Sequence, residues 1–293
     1  MGRLLTILVA VGFCASLASA DVAQNFFVTR DNSVDQNNKD NNLGAAFEDT
    51  RGAKQTYEED SSFFDWNMPA VNSFIDTNGG VANVTGVKLF IKQNADPYST
   101  LAPGSTTGKG IRVYLLRSTN DWAEGNGTTP WDPSWNNYSF NWTTDTAAAT
   151  YNYAQCYQVG GVLDPTRSLR WKNPDTGAEG DIASLYTNAS PGRNSLDWTP
   201  GLGALAEPER YIGVDLDTVF WQNLLDRTAH PEVHGVILWD YENVGGNNNW
   251  WLSTREDGGG GGGAYLEITM IPEPASMTLL AAGVLGLVSR RRR

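Results

Sequence analysis

Alternating apolar and polar positions predict short β-strands along most of this chain. Between residues 87 and 92, Val87, Leu89 and Ile91 alternate with Lys88, Phe90 and Lys92. This pattern is typical of a strand with one buried and one hydrated face, as in an antiparallel sheet. Other segments rich in β-branched and aromatic residues lie at 25–30, 61–68, 110–118, 210–216, 234–241, 249–256 and 264–271. We therefore expect an all-β fold, an antiparallel β-sandwich of the jelly-roll type.

Helical patterns are scarce. The segment from Thr218 to Thr228 predicts one short amphipathic helix, with Val219, Leu224 and Leu225 as packing residues. The six glycines Gly258 to Gly263 are followed at once by a strand-like segment, which favours a hairpin loop over an interdomain linker. Neither a repeat of fixed period nor a long hydrophilic linker interrupts the chain, so we expect a single domain over residues 21–270.

The first 20 residues have the pattern of a secretory signal peptide. Arg3 precedes a short apolar stretch, and the small residues Ala18, Ser19 and Ala20 precede an expected cleavage site before Asp21. An uncleaved anchor is the alternative. Cleavage would leave Cys156 as the only cysteine, which we expect to be a small buried hydrophobe and not a nucleophile.

The C-terminal segment 271–293 combines two prolines, an apolar stretch and four arginines. Its uncharged stretch, 275–288, spans about 21 Å as a helix, less than the ~30 Å hydrocarbon core of a bilayer. The terminal arginines would hold its end on the cytoplasmic side, and they disfavour the alternative of a buried core helix. The stretch is therefore too short for a comfortable permanent span.

The net negative charge of the chain argues against one class of partner. The formal net charge is −12. Outside the two ends, the body carries 16 basic and 32 acidic residues, a net charge of −16. Such a body repels phosphate backbones, so nucleic acid is excluded as a partner. Hydrophobic residues make up 40% of the chain and aromatic residues 11%, too many for a disordered protein.

An aromatic loop is the first candidate binding site. Trp131, Trp135, Tyr138, Phe140 and Trp142 lie within 12 residues, among polar neighbours. Aromatic rings pack against the apolar faces of sugars while nearby polar groups bind hydroxyls. The alternative is that these rings cover one end of the sandwich as a small satellite core.

Metal ligands are a second possibility, since Asp31, Asp35 and Asp40 lie in an oxygen-rich segment that could hold a structural Ca²⁺. Their spacing is not that of an EF-hand, and Asn/Asp/Gly loops also form simply as turns. His230 and His234 are four residues apart, but Pro231 argues against a shared helical face. We interpret them as surface or packing residues, and we expect no other cofactor.

Catalytic motifs are lacking, with no nucleophile elbow, phosphate loop or zinc-protease helix. The pairs Asp121/Glu124 and Glu256/Asp257 are interpreted as groups at the sandwich end, with Arg255 as a structural partner of the second pair. We therefore assign no catalytic residue.

The C-terminal segment resembles the PEP-CTERM sorting signal of Gram-negative bacteria. Pro-Glu-Pro, a short membrane-spanning-like helix and a basic tail occur there in order. The resemblance implies that Pro272, Glu273 and Pro274 are recognised by an exosortase, a membrane-embedded cysteine-type transpeptidase, with removal of the tail. It also implies export through the inner membrane to the cell surface or to an exopolysaccharide matrix.

The body resembles a DNRLRE-type domain, an extracellular β-sandwich linked to carbohydrate binding. Family-like elements occur in order at 26–44, 63–71, 84–91, 113–125 and 235–270. The segment at about 128–194 is longer than the family pattern, which predicts an insertion there.

Taken together, these patterns predict a secreted, exosortase-sorted bacterial surface or matrix protein that is non-catalytic and binds exopolysaccharide. The alternatives are a polysaccharide-degrading hydrolase or lyase, and a purely structural matrix component.

Overall fold

The computed structural model describes residues 21–35, 48–49, 60–92, 111–124, 147–159, 162–185, 195–198, 211–240, 252–253 and 263–271. Within these ranges the chain is mostly β-structure, with two α-helices and two 3-10 helices. The expectation of a chain built mostly from antiparallel β-strands is thereby confirmed, whereas the jelly-roll sandwich stays a prediction. The predicted signal peptide, the aromatic loop and the C-terminal sorting helix lie outside the described residues.

The bounds of the elements are as follows. The strands are β1 (Val22–Asp35), β2 (Glu48–Asp49), β3 (Asp60–Trp66), β4 (Val84–Lys92), β5 (Ile111–Arg117), β6 (Tyr153–Gln155), β7 (Gln158–Val159), β8 (Val162–Leu163), β9 (Leu169–Lys172), β10 (Glu179–Gly180), β11 (Ser195–Trp198), β12 (Tyr211–Leu216), β13 (Val233–Asp240), β14 (Leu252–Ser253) and β15 (Tyr265–Met270). The helices are α1 (Met68–Thr77) and α2 (Thr218–Leu225), and 3-10 turns occupy Val81–Asn83 and Ile182–Leu185.

The chain divides into two compact units. The smaller comprises Met1–Gln24, Pro69–Gly86 and Ile268–Arg293, and the larger comprises Asn25–Met68 and Val87–Glu267. The main sheet has the strand order β11-β5-β13-β3-β1-β15-β4-β12. Strand pairs with a defined register in this sheet are antiparallel. Three small sheets, β10-β9-β6, β14-β2 and β7-β8, accompany it.

Each segment predicted as a strand contains one. In β4 the apolar residues Val87, Leu89 and Ile91 are buried, whereas Lys88, Phe90 and Lys92 are partly exposed. The alternation works because successive side chains of a strand point to opposite faces of the sheet. Cys156 is fully buried, as expected for a small core residue.

The core of the larger unit includes part of the expected insertion. Phe63 of β3 meets Trp122 edge-on, with ring centroids 4.7 Å apart, and meets Trp171 of β9 at 5.9 Å. Each such pair adds about 0.5–1.5 kcal/mol to what burial supplies. The same buried cluster contains Val34, Tyr114, Leu116, Ala149, Tyr151, Ala154, Ile182, Leu185 and Ile237. Residues of the 147–185 region therefore help to close the core of this unit.

Helix α1 in the smaller unit was not predicted, although the sequence carries its boundary signals. Pro69 lies in the first turn, where its missing N–H costs nothing. Val71 and Ile75, four residues apart, are both buried on one face. Gly80, with a φ of 85°, follows the helix and donates its N–H to the Ile75 carbonyl at 2.9 Å.

Helix α2 confirms the predicted helix but corrects its packing face. The Asp217 carboxylate caps it by accepting the Phe220 N–H at 2.8 Å. Leu224 and Leu225 are buried as predicted, but the prediction for Val219 is wrong, since it is 48% exposed. The buried face instead comprises Phe220, Trp221, Leu224 and Leu225, because positions one helical turn apart share a face.

No helix in the described ranges is long and apolar enough to cross a membrane. The apolar stretch 275–288 lies outside those ranges.

Candidate functional site

Two β-bulges aim charged side chains at one point of the larger unit. The register of β1 against β3 shifts between Val28 and Arg30. The register of β13 against β5 shifts between Val233 and Val236, and this bulge contains Gly235 with a φ of 117°. A Cβ at Gly235 would collide with the carbonyl oxygen of Phe64. Bulges re-aim the side chains beside them, here Arg30 and His234.

Asp65 of β3 lies at the centre of this charged network. Its Oδ2 accepts hydrogen bonds from Arg30 Nη2 at 2.7 Å and from Arg30 Nε at 3.1 Å. Its Oδ1 accepts from Arg227 Nη2 at 2.9 Å and from the Trp66 N–H at 2.9 Å. The carboxylate is buried, and these four bonds compensate for its lost hydration.

Asp121 is the second anion of the network. Its Oδ1 accepts from Arg30 Nη2 at 2.8 Å and from the Trp122 N–H at 2.8 Å. The Arg30 guanidinium also lies 4.3 Å from the centroid of the Trp122 ring. Burial alone would lower the pKa of Arg30. The hydrogen bond to Asp121 and the charges of Asp65 and Asp121 outweigh it, so the pKa rises above its ordinary value.

Arg227 ties the end of α2 to the bulge in β13. Its Nε donates to the Leu224 carbonyl at 2.8 Å, and its Nη1 donates to the Val233 carbonyl. Burial lowers the pKa of Arg227, and the charge of Arg30 lowers it further, against the opposing effect of Asp65. Arg227 thus depends on Asp65 for compensation of its buried charge.

His234 borders the same network. Its Nε2 lies 2.9 Å from the Ser118 carbonyl oxygen, which can only accept, so Nε2 carries a proton. Its Nδ1 lies 3.2 Å from Asp121 Oδ1. Burial lowers the pKa of His234, and the nearby Asp121 charge opposes this effect without cancelling it.

The Glu124 carboxylate is hydrogen-bonded to the backbone of β1, since its Oε1 accepts the Asp31 N–H at 3.0 Å. A glycosidase needs a protonated acid and a second carboxylate free to act as base or nucleophile. Asp121 is instead bound to Arg30, and Glu124 to the β1 backbone. This arrangement supports a structural role for the Asp121/Glu124 pair; Glu256 and Asp257 lie outside the described residues.

A second ionic cluster holds the 147–185 region against β5. Arg117 makes a bidentate pair with Asp175 at 2.8 and 2.9 Å, and its Nη2 lies 3.2 Å from Glu232 Oε1. His230 Nδ1 lies 3.5 Å from the same oxygen. The two histidines therefore have separate partners, His230 at Glu232 and His234 at Ser118 and Asp121.

An aromatic strip crosses the outward face of four neighbouring strands. It comprises Phe27 of β1, Tyr265 of β15, Phe90 of β4 and Tyr211 of β12. Tyr265 stacks on Phe90 with centroids 4.7 Å apart, and it also contacts Phe27 at 5.2 Å and Tyr211 at 4.9 Å. Phe27 is 45% exposed. The strip offers partly exposed apolar surface on a hydrogen-bonded sheet.

Strand β12 leaves space for one ring of this strip. A Cβ at Gly213 would lie 2.7 Å from a ring carbon of Phe90, so glycine leaves the space that the ring covers. Lys88 lies 5.8 Å from the Phe90 centroid and pairs with Asp215 at 3.1 Å. One cation and one anion thus border the rings.

Most of the predicted site residues lie outside the described ranges: Trp131, Trp135, Tyr138, Trp142, Asp40, Pro272, Glu273 and Pro274. Asp31 is buried in β1, with 2% exposure, and Asp35 ends that strand opposite Asp60. Among the described residues, no group of three His, Cys, Asp or Glu side chains is placed to hold a metal ion. Structural Ca²⁺ remains a prediction.

The charged network and the aromatic strip were not predicted from the sequence. Arg30 and Arg227 are single basic residues without a motif; a bulge in β1 brings Arg30 to Asp65, and Arg227 reaches it from the end of α2. The strip did leave a signal, since Phe90 occupies the same face of β4 as Lys88 and Lys92. A large aromatic residue on a lysine-bearing face indicates outward-facing apolar surface.

Comparison with known families identifies the C-terminal segment. The family model described as the PEP-CTERM protein-sorting motif matches residues 271–293. A search of curated proteins found no match for the chain. No family match supports the resemblance of the body to DNRLRE-type domains. The chain therefore carries a PEP-CTERM protein-sorting motif, which implies processing by an exosortase and a surface or extracellular location.

Proposed function

We propose that this is a non-catalytic surface or matrix protein of a Gram-negative bacterium whose body binds exopolysaccharide. The observation that carries the proposal is the sorting motif at 271–293, which directs a mostly β-structured body out of the cell. The tail would be removed at or near Pro272, Glu273 and Pro274 once 275–288 has held the chain transiently in the inner membrane.

The aromatic strip supports the binding part of the proposal. Partly exposed rings on a hydrogen-bonded sheet suit the apolar faces of sugars, and Lys88 and Asp215 at the border suit their hydroxyls. The aromatic loop at 131–142 is a second candidate surface of the same chemistry. A DNRLRE-like jelly-roll sandwich is the architecture that we propose for the body.

The carboxylates of Asp65, Asp121 and Glu124 already accept hydrogen bonds from arginines or from the backbone. This supports a non-catalytic role, because a carboxylate held in this way is a poor acid or base. A hydrolase or lyase would require carboxylates elsewhere in the chain. The third possibility, a structural matrix component, would bind no glycan.

The test combines a glycan array with a reducing-sugar assay on the exported protein. We expect binding without release of reducing ends. Phe27→Ala and Trp135→Ala should each weaken binding roughly two- to tenfold, the magnitude of one lost aromatic contact. Val219→Ala, at an exposed residue of α2 that belongs to neither candidate surface, is the control.

Turnover of the glycan would contradict the non-catalytic assignment. The absence of both array binding and release of reducing ends would favour the structural alternative. Mass spectrometry of the native C-terminus tests sorting separately. A mature chain that still ends at Arg293 would count against processing.

A further inference from the structure

The folded part of the smaller unit extends to the first residue of the sorting motif. Strand β15 ends at Met270, and both Ile268 and Met270 are fully buried. The next residue, Ile271, is still hydrogen-bonded, since its N–H donates to the Asn83 carbonyl at 2.9 Å. The family match begins at Ile271, and Pro272 follows it directly. No spacer therefore separates the motif from the folded chain.

The end of β15 resists fraying beyond Ile271. Releasing Ile271 breaks one backbone hydrogen bond and lengthens the free chain by only about 3.5 Å. Releasing the next residue would expose the fully buried Met270 side chain to water, which costs more free energy. The strand is also tied one residue earlier, where Thr85 Oγ1 donates to the Thr269 carbonyl at 3.2 Å. The motif therefore starts at a short and nearly constant distance from the folded surface around Ile271.

Residues 79–83 form an ordered turn beside this strand end, which we call the 79–83 turn. Gly80 has a φ of 85° and a ψ of 178°, a conformation essentially confined to glycine. The Asn83 N–H donates to the Gly80 carbonyl at 3.0 Å, and Asn83 Nδ2 donates to the Asn78 carbonyl at 3.2 Å. The carbonyl that accepts the Ile271 N–H therefore belongs to an ordered support.

Two exposed apolar side chains lie at this junction. Val81 of the 79–83 turn is 54% exposed and Ile271 is 48% exposed. Within the described residues of the smaller unit, they are the exposed large hydrophobic side chains. Asn83 links them, and because two residues of a 3-10 turn advance only about 4 Å, their Cα atoms are about 12 Å apart at most. The surface beside the motif therefore has an apolar character.

An enzyme that binds Pro272, Glu273 and Pro274 approaches this surface closely. Consecutive Cα atoms are about 3.8 Å apart, so all three residues lie within about 11 Å of Ile271. A single α-helix with its side chains is already about 10–12 Å wide. A cleft that encloses the three residues is built from several such elements, so its rim reaches the folded surface beside the motif.

We propose that the 79–83 turn is a second contact surface for the exosortase, used together with the Pro-Glu-Pro motif. Val81 and Ile271 pack against apolar side chains at the rim of the enzyme's cleft, and the ordered turn holds them at a constant distance from the motif. This contact rests on the sorting part of the proposed function, because it presupposes processing by an exosortase. It adds the folded body to what the enzyme recognises.

The first test is a pulse–chase measurement of C-terminal processing, in a bacterial host that makes the full chain and its exosortase. Val81→Ser should slow the shortening of the chain roughly three- to tenfold, because about half of a valine side chain is available for the contact. Val219→Ser, at a valine of similar exposure in α2, is the matched control and should leave the rate unchanged. Circular dichroism of both variants confirms that they are folded.

A spacer tests the distance between turn and motif without changing the turn. Four residues, Gly-Ser-Gly-Ser, inserted between Ile271 and Pro272 move the motif away by up to about 14 Å. Processing should slow by a similar factor, and Val81→Ser in the spacer chain should have no further effect, since the contact is already lost. The same four residues inserted into the glycine run 258–263 are the control and should leave the rate unchanged.

Photo-cross-linking gives a direct readout of the contact. With a photoreactive residue introduced at position 81 or, as control, at position 219, we expect an adduct with the exosortase from 81 only. Absence of that adduct, or normal processing of Val81→Ser, would overturn the inference and leave the sorting function standing. Faster processing of the spacer chain would also overturn it, because the folded body would then hinder the enzyme. If the unaltered chain is not shortened at all, the sorting function fails and the inference fails with it.

Discussion

At Asp65 two guanidinium groups share one buried carboxylate, and the geometry decides what each residue contributes. Arg30 has a second anion in Asp121, whereas Arg227 has only Asp65 as an ion-pair partner among the described residues. The pKa of Arg30 is accordingly raised and that of Arg227 lowered. Removing the shared carboxylate would therefore affect Arg227 most, because its charge would stay buried without compensation.

We expect Asp65→Asn to lower the free energy of unfolding by about 3–5 kcal/mol, the cost of breaking a buried ion pair. Urea denaturation measures this loss. Lys88→Gln, which removes an exposed pair with Asp215, is the control and should cost less than about 1 kcal/mol. Equal stability of the two variants would show that Asp65 is not the centre of the network.

His234 makes stability depend on pH in a defined direction. Its pKa in the folded state is lowered by burial, whereas in the unfolded chain it is about 6.5. The unfolded state thus binds a proton first as pH falls, so the contribution is complete above about pH 6.5 and is lost below it. We expect the decrease in unfolding free energy between about pH 7 and 5 to be smaller in His234→Gln. Parallel pH profiles would contradict this assignment.

At the scale of elements, bulges and caps explain where the charged network forms. The bulge at Gly235 turns His234 of β13 towards the Ser118 carbonyl. Arg227 reaches Asp65 because it lies just after the end of α2. The first turn of this helix is defined by the Asp217 carboxylate, which accepts the Phe220 N–H. The bulge in β13 has only Gly235 as a sequence signature and the bulge in β1 has none, which explains why the strands were predicted and the network was not.

Gly235→Ala should destabilise the protein by about 2 kcal/mol or more, since the residue has a positive φ and its Cβ would collide with the Phe64 carbonyl. Gly86→Ala is the matched control, because nothing lies within 4 Å of its Cβ position. Thermal unfolding of both variants measures the difference. A tolerated alanine at 235 would mean that the bulge can relax, and the position of His234 would then be less constrained than we infer.

At the scale of the whole molecule, the expected insertion is partly integral to the fold. Trp171, within residues 147–185, packs edge-on against Phe63. Asp175 of the same region forms a salt bridge with Arg117 of β5. A loosely attached insertion would contribute neither. The predicted single domain and its boundaries stay a prediction; the chain divides into two compact units.

Trp171→Ala should therefore cost about 3–5 kcal/mol of global stability, the usual effect of emptying a large core position. Trp171 is fully buried, and its Nε1 donates to the Thr150 carbonyl at 2.9 Å. Amide hydrogen exchange in β3 and β13 gives the global readout. Loss of protection confined to 147–185 would show that this region unfolds separately from the sheet.

Local sequence patterns predict eight of the strands, helix α2 and the sorting motif, but not the short strands β2 and β6 to β11. Alternation decides which face of β4 is buried, and the Pro-Glu-Pro, apolar and basic segments identify the tail without reference to the body. The local pattern failed for Val219, whose side chain lies off the packing face of α2.

The charged network and the aromatic strip, in contrast, depend on long-range contacts of the folded chain. Arg30, Asp65, Asp121 and Arg227 are far apart in the chain, and Phe27, Phe90 and Tyr265 meet only because β1, β15 and β4 are neighbours in the sheet. Sequence patterns report which face a residue occupies, but not which strand lies beside it. That pairing is a long-range property of the folded chain, and it places charges and rings together.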